Sequence, residues 1–245
     1  MISKYRPLLA LMLFLYHNQS GAIEFSYLNG SEINGYTAKG TPTNIMDRSD
    51  EMPLDVLNNI YSMLPESQYV DPSYIDASLA SNIVVDSDFD GYVTVQITFL
   101  NEGAGYRNTF GYFIYDYSNP PTTIDQIDEH VIVFPNASKP SQGELVQGDS
   151  VDLYVELLAG EALGFFVIPN GWGWSGSYGY VSSMGPWGQA FYSLPVLNPE
   201  SGDLRQHNVV FYDTENELFI VGFDDQHRSS GDNDFNDILF AIETT

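Results

Sequence analysis

From residue 80 onward the chain is a succession of short runs in which β-branched or aromatic residues recur. The runs are 92–100, 108–117, 130–134, 151–157, 163–168, 209–212, 218–223 and 238–242, each bounded by Gly, Pro, Asn or Asp. In residues 92–100 apolar residues alternate with Thr and Gln, which is the period of a half-buried strand rather than a helix. Eight such runs with turn signals between them constrain the fold to all-β, and their lengths suit an antiparallel two-sheet β-sandwich of jelly-roll type. One helix interrupts this pattern: Pro53 sits where a first turn tolerates it, Leu54, Leu57, Ile60, Tyr61 and Leu64 recur at helical spacing, and Pro65 stops the run. Ile23, Phe25 and Tyr27 alternate as an edge strand, followed by a polar connector to residue 50. No internal repeat or charged linker appears, so residues 51–245 read as one domain.

The first 22 residues belong to a different category. Lys4 and Arg6 precede an apolar run from Leu8 to Tyr16, and Ser20-Gly21-Ala22 supplies a small-x-small pattern. A run that short cannot span a bilayer, which needs about 20 residues. The expectation is a secretory signal peptide cleaved near Ala22, giving a product that is secreted, extracellular or periplasmic, with no membrane span. Loss of those two cations shifts the formal net charge from −25 to −27. That charge makes nucleic acid an implausible partner, because there are almost no Lys or Arg to displace counterions from phosphates. The absence of cysteine excludes disulfides, thiol nucleophiles and Cys-ligated zinc. An acidic chain with 14% aromatic residues is not a disordered tail either.

The acidity is concentrated. Between residues 224 and 237 lie five aspartates (Asp224, Asp225, Asp232, Asp234 and Asp237) and two asparagines (Asn233 and Asn236), answered by the single Arg228. Without a counter-ion such a loop is expected to be strained or mobile. Calcium takes about 6–8 oxygens from carboxylates, amides and main chain, and this loop offers them. Asp, Asn, Ser and Gly are also ordinary turn formers. The expected metal set is Asp224, Asp225, Asp232, Asp234, Asn236 and Asp237, with Glu102 reaching in from a strand end beside Gly103-Ala104-Gly105.

Further motifs stand in a fixed order: Glu102-Gly103-Ala104-Gly105-Tyr106, Phe110-Gly111-Tyr112-Phe113 with Asp116, Gly164-Phe165-Phe166-Val167-Ile168-Pro169-Asn170-Gly171-Trp172, Phe191-Tyr192-Ser193, Leu197-Asn198-Pro199, Gln206-His207-Asn208 and Phe223-Asp224-Asp225 with Gly231-Asp232-Asn233-Asp234-Phe235-Asn236-Asp237. With Leu64-Pro65-Glu66 included, the chain from about residue 51 onward resembles the domain of unknown function 4114 family, found in secreted proteins, surface adhesins and LruC-type proteins. The resemblance implies a β-rich extracellular domain, calcium at the Asp/Asn loop and no established activity. The His227-Arg228-Ser229 stretch is less acidic than the family pattern, which leaves the number of ions open.

Other constellations carry less. Asp86-Ser87-Asp88-Phe89-Asp90-Gly91 begins like an EF-hand loop, but its twelfth position is Ile97 where a bidentate Glu is required, so a tight Asp-rich turn is expected. Gly171-Trp172-Gly173-Trp174-Ser175-Gly176 fits G-x-G-x-x-G without the helix that a dinucleotide site needs. Its aromatics matter more: Trp172, Trp174, Tyr178, Tyr180 and Trp187 either present ring faces to a carbohydrate or another extracellular polymer, or fold back over the core. His130, His207 and His227 are scattered, with His207 and His227 read as surface or loop residues, and no catalytic residue is assigned. The expected function is therefore a secreted calcium-binding module that binds carbohydrate or polymer. A calcium-stabilised structural domain and, less favoured, a glycan hydrolase are the alternatives.

Overall fold

The computed structural model describes residues 24–28, 35–52, 55–70, 82–175, 178–182, 189–213 and 218–244. The signal peptide expected at 1–22 lies outside them. Among the described residues no helix is long and apolar enough to cross a membrane.

Sixteen strands and one helix are described. In chain order they are β1 (Phe25–Tyr27), β2 (Met46–Asp47), α1 (Val56–Met63), β3 (Ile83–Val84), β4 (Tyr92–Val93), β5 (Val95–Asn101), β6 (Thr109–Asp116), β7 (His130–Phe134), β8 (Asp149–Asp152) and β9 (Leu157–Leu158). They continue with β10 (Glu161–Ile168), β11 (Trp172–Ser175), β12 (Tyr178–Val181), β13 (Phe191–Tyr192), β14 (Asn208–Asp213), β15 (Leu218–Phe223) and β16 (Ile238–Thr244). One sheet runs β1-β7-β6-β10-β13, with β3 also pairing to β10, and the other runs β14-β15-β16-β5-β8-β2. Pairing is antiparallel except between β1 and β7, which run parallel.

The inner faces of both sheets supply a common core. Ile97 and Phe99 of β5, Phe110 of β6, Phe165 of β10, Phe223 of β15 and Phe240 of β16 all belong to it. This is a two-sheet β-sandwich with one helix, the fold class its alternating runs predict. Part of each outer face is covered as well. Helix α1 buries Val56 and Ile60, with Leu64 just beyond its end, against Leu100, Leu218, Ile220, Leu239 and Ala241. On the other sheet Phe166, Ile168 and Tyr192 form a third cluster, packed by Phe25, Tyr27 and Ile124. Double coverage explains why β7 and β10 are buried almost along their whole length.

Two cross-strand pairs in the β6–β10 ladder match a glycine to a ring: Gly111 opposite Phe166, and Gly164 opposite Phe113. A β-carbon on Gly164 would lie 2.3 Å from the Phe113 ring, and one on Gly111 would lie 2.4 Å from that of Phe166. Each glycine is the space its partner's ring occupies. Gly164→Ala is therefore expected to cost about 1–3 kcal/mol through overpacking, read as a lower midpoint in denaturant with unchanged slope.

Some boundaries differ from the sequence reading. The run 92–100 divides at Thr94 into β4 and β5, and 151–157 breaks between β8 and β9. Tyr154, inside that break, has φ of 54°, which an aromatic residue rarely adopts and a continuous strand cannot contain. Residues 172–181, read as a loop, form the β11–β12 hairpin.

Candidate functional site

The C-terminal hairpin joins two central strands of one sheet. Asp224 and Asp225 leave the end of β15, and Asp237 immediately precedes β16. Backbone pairing of Phe223 with Ile238 closes the hairpin behind them. The residues between therefore form a compact excursion. Asn233 and Phe235 adopt φ of 61° and 57°, so strain is present at the turn.

Five of the seven expected metal residues are buried there: Asp224, Asp225, Asp234, Asn236 and Asp237. Glu102, also buried, comes from the turn after β5, whose Gly103 N–H donates to the Asp237 carbonyl at 3.2 Å. Asp232 is exposed. Hydrogen bonds fix much of this group. Asn108 Nδ2 donates to Asp225 Oδ2 at 2.6 Å, the Asp225 N–H donates to Asp237 Oδ2 at 2.8 Å, and the Gln226 N–H donates to Asp224 Oδ1 at 3.0 Å. Among the described residues three carboxylate oxygens remain unpartnered in the interior: Asp224 Oδ2 and Glu102 Oε1 within this group, and Glu200 Oε2. A buried acceptor without a donor costs about 1–3 kcal/mol, more when charged.

The electrostatics are correspondingly adverse. Burial pushes Asp224 up to about 7; the Gln226 N–H opposes this, and the charges of Asp225, Asp232 and Asp234 add to it. Glu102 is also raised to about 7, by burial first, with Lys139 opposing and Asp225 reinforcing. Asp225 and Asp237 are both raised, burial again leading, with neighbouring aspartates contributing. Lys139 is the cation nearest Glu102, and its Nζ donates to the Glu102 carbonyl at 2.6 Å. Arg228 does not serve as the counter-ion that its place in the sequence suggests. Its guanidinium donates to Asn233 Oδ1 and the Asp203 carbonyl at 2.8 and 2.6 Å, and lies 5.0 Å from the Phe235 ring centre. It braces the turn and leaves the carboxylates unanswered.

On the other side the segment after α1 closes over the hairpin. The Ser67 N–H donates to Asp234 Oδ2 at 2.7 Å, Asn236 Nδ2 to the Leu64 carbonyl at 3.2 Å, and the Val70 N–H to the Asn233 carbonyl at 3.2 Å. This brings Glu66, absent from the expected set, to Asp232 and Asp234, with one ligand oxygen of each within 4.8 Å of the others. Gly103 borders the same region: a β-carbon there would lie 2.7 Å from Asn236 Oδ1, 3.1 Å from the Asn236 carbonyl and 3.2 Å from Glu66 Oε2. The oxygen-rich character of this group, combining carboxylates, an amide and carbonyls, is what hard divalent cations take.

A second buried group adjoins it. His207 lies in the loop before β14, as one of its two expected placements had it, but is fully buried rather than at the surface, and its ring stacks on Phe191 at 3.7 Å. Its Nδ1 lies 3.3 Å from the Asp224 carbonyl oxygen, and Nε2 lies 3.0 Å from Glu200 Oε1. His227 Nδ1 meets the same oxygen at 2.8 Å. Burial raises Glu200, but hydrogen bonds from the two imidazoles outweigh it and hold the acid at about 2. Burial lowers His207, opposed by Glu200. The scattered Gln206-His207-Asn208 motif thus supports the first carboxylate of the hairpin, a role only the tertiary contact reveals.

The aromatic set separates. The Trp172 ring is buried, wedged where a β-carbon on Gly179 would approach to 1.8 Å. It caps the fold and offers no face for stacking. Tyr180 is half exposed. Trp187 and the side chains of Trp174 and Tyr178 lie outside the described residues. At 86–90 the Phe89 N–H bonds the Asp86 carbonyl at 3.0 Å and the Asp88 N–H bonds Asp86 Oδ1 at 3.0 Å, a self-contained Asp turn.

No curated protein and no solved structure matches the chain. A family model does match, over a shorter stretch than the motifs from residue 51 onward suggest. Residues 157–245, from β9 through the acidic hairpin to the end of the chain, match the family described as Domain of unknown function (DUF4114), and over that stretch the chain resembles this family.

Proposed function

We propose that the protein is a secreted, non-catalytic β-sandwich module that binds calcium at its C-terminal hairpin and uses the stabilised domain to engage an extracellular carbohydrate or polymer. The observation that carries the metal reading is the pair of unpartnered buried oxygens, Asp224 Oδ2 and Glu102 Oε1, within a group of buried acids. Removing such charges from water is costly unless a counter-ion or protons accompany them. A divalent cation supplies such a counter-charge; the acids whose ligand oxygens converge within 4.8 Å are Glu66, Asp232 and Asp234 of the same hairpin region, and the mixture of carboxylate, amide and carbonyl oxygens favours calcium. Glycoside hydrolysis needs two carboxyl groups flanking a substrate in an open cleft, whereas these acids are enclosed. Secretion rests on the pattern in residues 1–22.

Calorimetric titration of calcium into chelator-treated protein tests the metal reading. Saturable binding is expected, with magnesium far weaker because it demands a smaller octahedral site. Asp224→Asn and Glu102→Gln should each weaken calcium by about tenfold or more, roughly 1.4 kcal/mol. Absence of binding at millimolar calcium would remove the reading.

A further inference from the structure

The outer face of the β14-β15-β16-β5-β8-β2 sheet is only partly covered by α1. Beyond the helix, pairing aligns Glu243 of β16 with Gln96 of β5, and Gln96 with Asp152 of β8. Their sequence neighbours Ile242, Ile97 and Val151 point into the core, so these three side chains form a polar row across three strands on the opposite face. The row lines a cleft of about 660 Å³, which the 46–51 segment closes on one side. That is within the range of about 300–1,000 Å³ typical of small-molecule sites.

Two features distinguish this cleft from an ordinary solvated sheet face. Tyr154 stands on its wall, 73% exposed and with φ of 54°. Left-handed backbone at a non-glycine aromatic is costly, and here it accompanies an exposed ring. The charges are also unbalanced. Asp47, Glu51, Asp152 and Glu243 line the cleft against the single Arg48, which ion-pairs with both Glu51 and Glu243. Gln96 Nε2 donates to Asp152 Oδ1 at 2.9 Å, orienting that carboxylate. An aromatic face beside a net negative polar row matches a ligand with a flat apolar ring face and positive charge.

We propose that this cleft binds amino-bearing pyranose rings, with Tyr154 stacking on a sugar face and Asp152, Asp47 and their neighbours receiving the ammonium and hydroxyl groups. The proposal rests on the carbohydrate reading above, but none of the expected calcium ligands lines this cleft, so its occupancy does not depend on the calcium reading.

The test is a calorimetric titration of the protein with a β-1,4-linked glucosamine hexamer, in excess calcium and again in chelator. Binding in the submillimolar range is expected for the amino sugar, weakening as sodium chloride is raised. The fully N-acetylated hexamer should bind at least about tenfold more weakly. Asp152→Asn and Tyr154→Ala should each lose about tenfold in affinity, equal to roughly 1.4 kcal/mol, with an unchanged melting temperature. Tyr154→Asn provides the sharper variant. Asparagine tolerates left-handed backbone, so this protein should melt at the same or a higher temperature while failing to bind. The proposal is overturned if the wild type ignores the glucosamine hexamer, if spermine binds as tightly, if acetylation makes no difference, or if Tyr154→Ala retains wild-type affinity.

Discussion

In chelator, the protein is expected to lose stability as pH rises from about 4 to 7, the reverse of the usual carboxylate behaviour. Asp224 has a folded-state value of about 7 against 3.8 for the unconstrained group. At pH values between the two, the folded protein holds a proton that the unfolded chain has released. Stability is fully present below about 3.8 and declines until pH passes the folded value. One pH unit of displacement corresponds to about 1.4 kcal/mol, so the raised acids of the hairpin together make the decline large enough to read in a denaturant melt. Glu102, Asp225 and Asp237 are displaced in the same direction. Glu200 works oppositely: its depressed value gives stability above the normal carboxylate range that is lost as pH falls toward 2. Denaturant melts from pH 4 to 8 in chelator should therefore show the decline, and Asp224→Asn should flatten it. Excess calcium should remove most of the decline, because the ion replaces the protons. A chelated protein whose stability increases steadily through this range would show that the hairpin acids are not buried and uncompensated as described.

The second large effect is expected at Phe240. Its ring stacks on Phe110 at 4.2 Å and on Phe134 at 5.3 Å, and meets Phe99 edge-on at 5.9 Å, where the two sheets face one another. Phe240→Ala removes the ring common to all three contacts. Large-to-small changes of this kind cost about 3–5 kcal/mol, including a cavity contribution that depends on how far the surroundings collapse. Neighbouring rings held by both sheets have little freedom to fill the space, which favours the upper part of that range. For a protein of this size each kcal/mol is worth about 2–4 °C, so the melting temperature should fall on the order of 10 °C or more. A fall of only a few degrees would mean that the two sheets do not share one closely packed core. Because Phe240 lies on β16 three residues beyond Asp237, calcium binding by the still-folded variant should survive.

The parts of the fold that could be read in advance are those carried by local pattern. Residues 130–134 and 218–223 are strands with the expected limits, and β16 begins at the expected Ile238, because their β-branched and aromatic residues agree with their place in the sheet. The breaks at Thr94 and Tyr154 were not legible, since a change of pairing partner leaves the period-two alternation intact. Nor was β11–β12: its Gly and Ser content resembles a loop, while the role of Gly179 in admitting the Trp172 ring appears only when the strands pair. At the hairpin, crowding of aspartates marked the segment in which buried carboxylates gather, and Glu102 is buried beside it. Asn108, Glu66 and His207 could not be assigned on spacing, because β6, the segment after α1 and the start of β14 reach the hairpin only through tertiary structure. The role of Arg228 was misjudged for a related reason: proximity in sequence to aspartates does not determine which acceptors a long side chain meets.

The central claim is that calcium supplies the charge missing from the buried carboxylates of the C-terminal hairpin. Thermal melts at neutral pH, with calcium at about 100 times its dissociation constant and with chelator, test it most directly. The ion should add about 2.7 kcal/mol and raise the melting temperature by roughly 5–10 °C, while Asp224→Asn should lose most of that response. Identical melts in calcium and chelator would contradict the account.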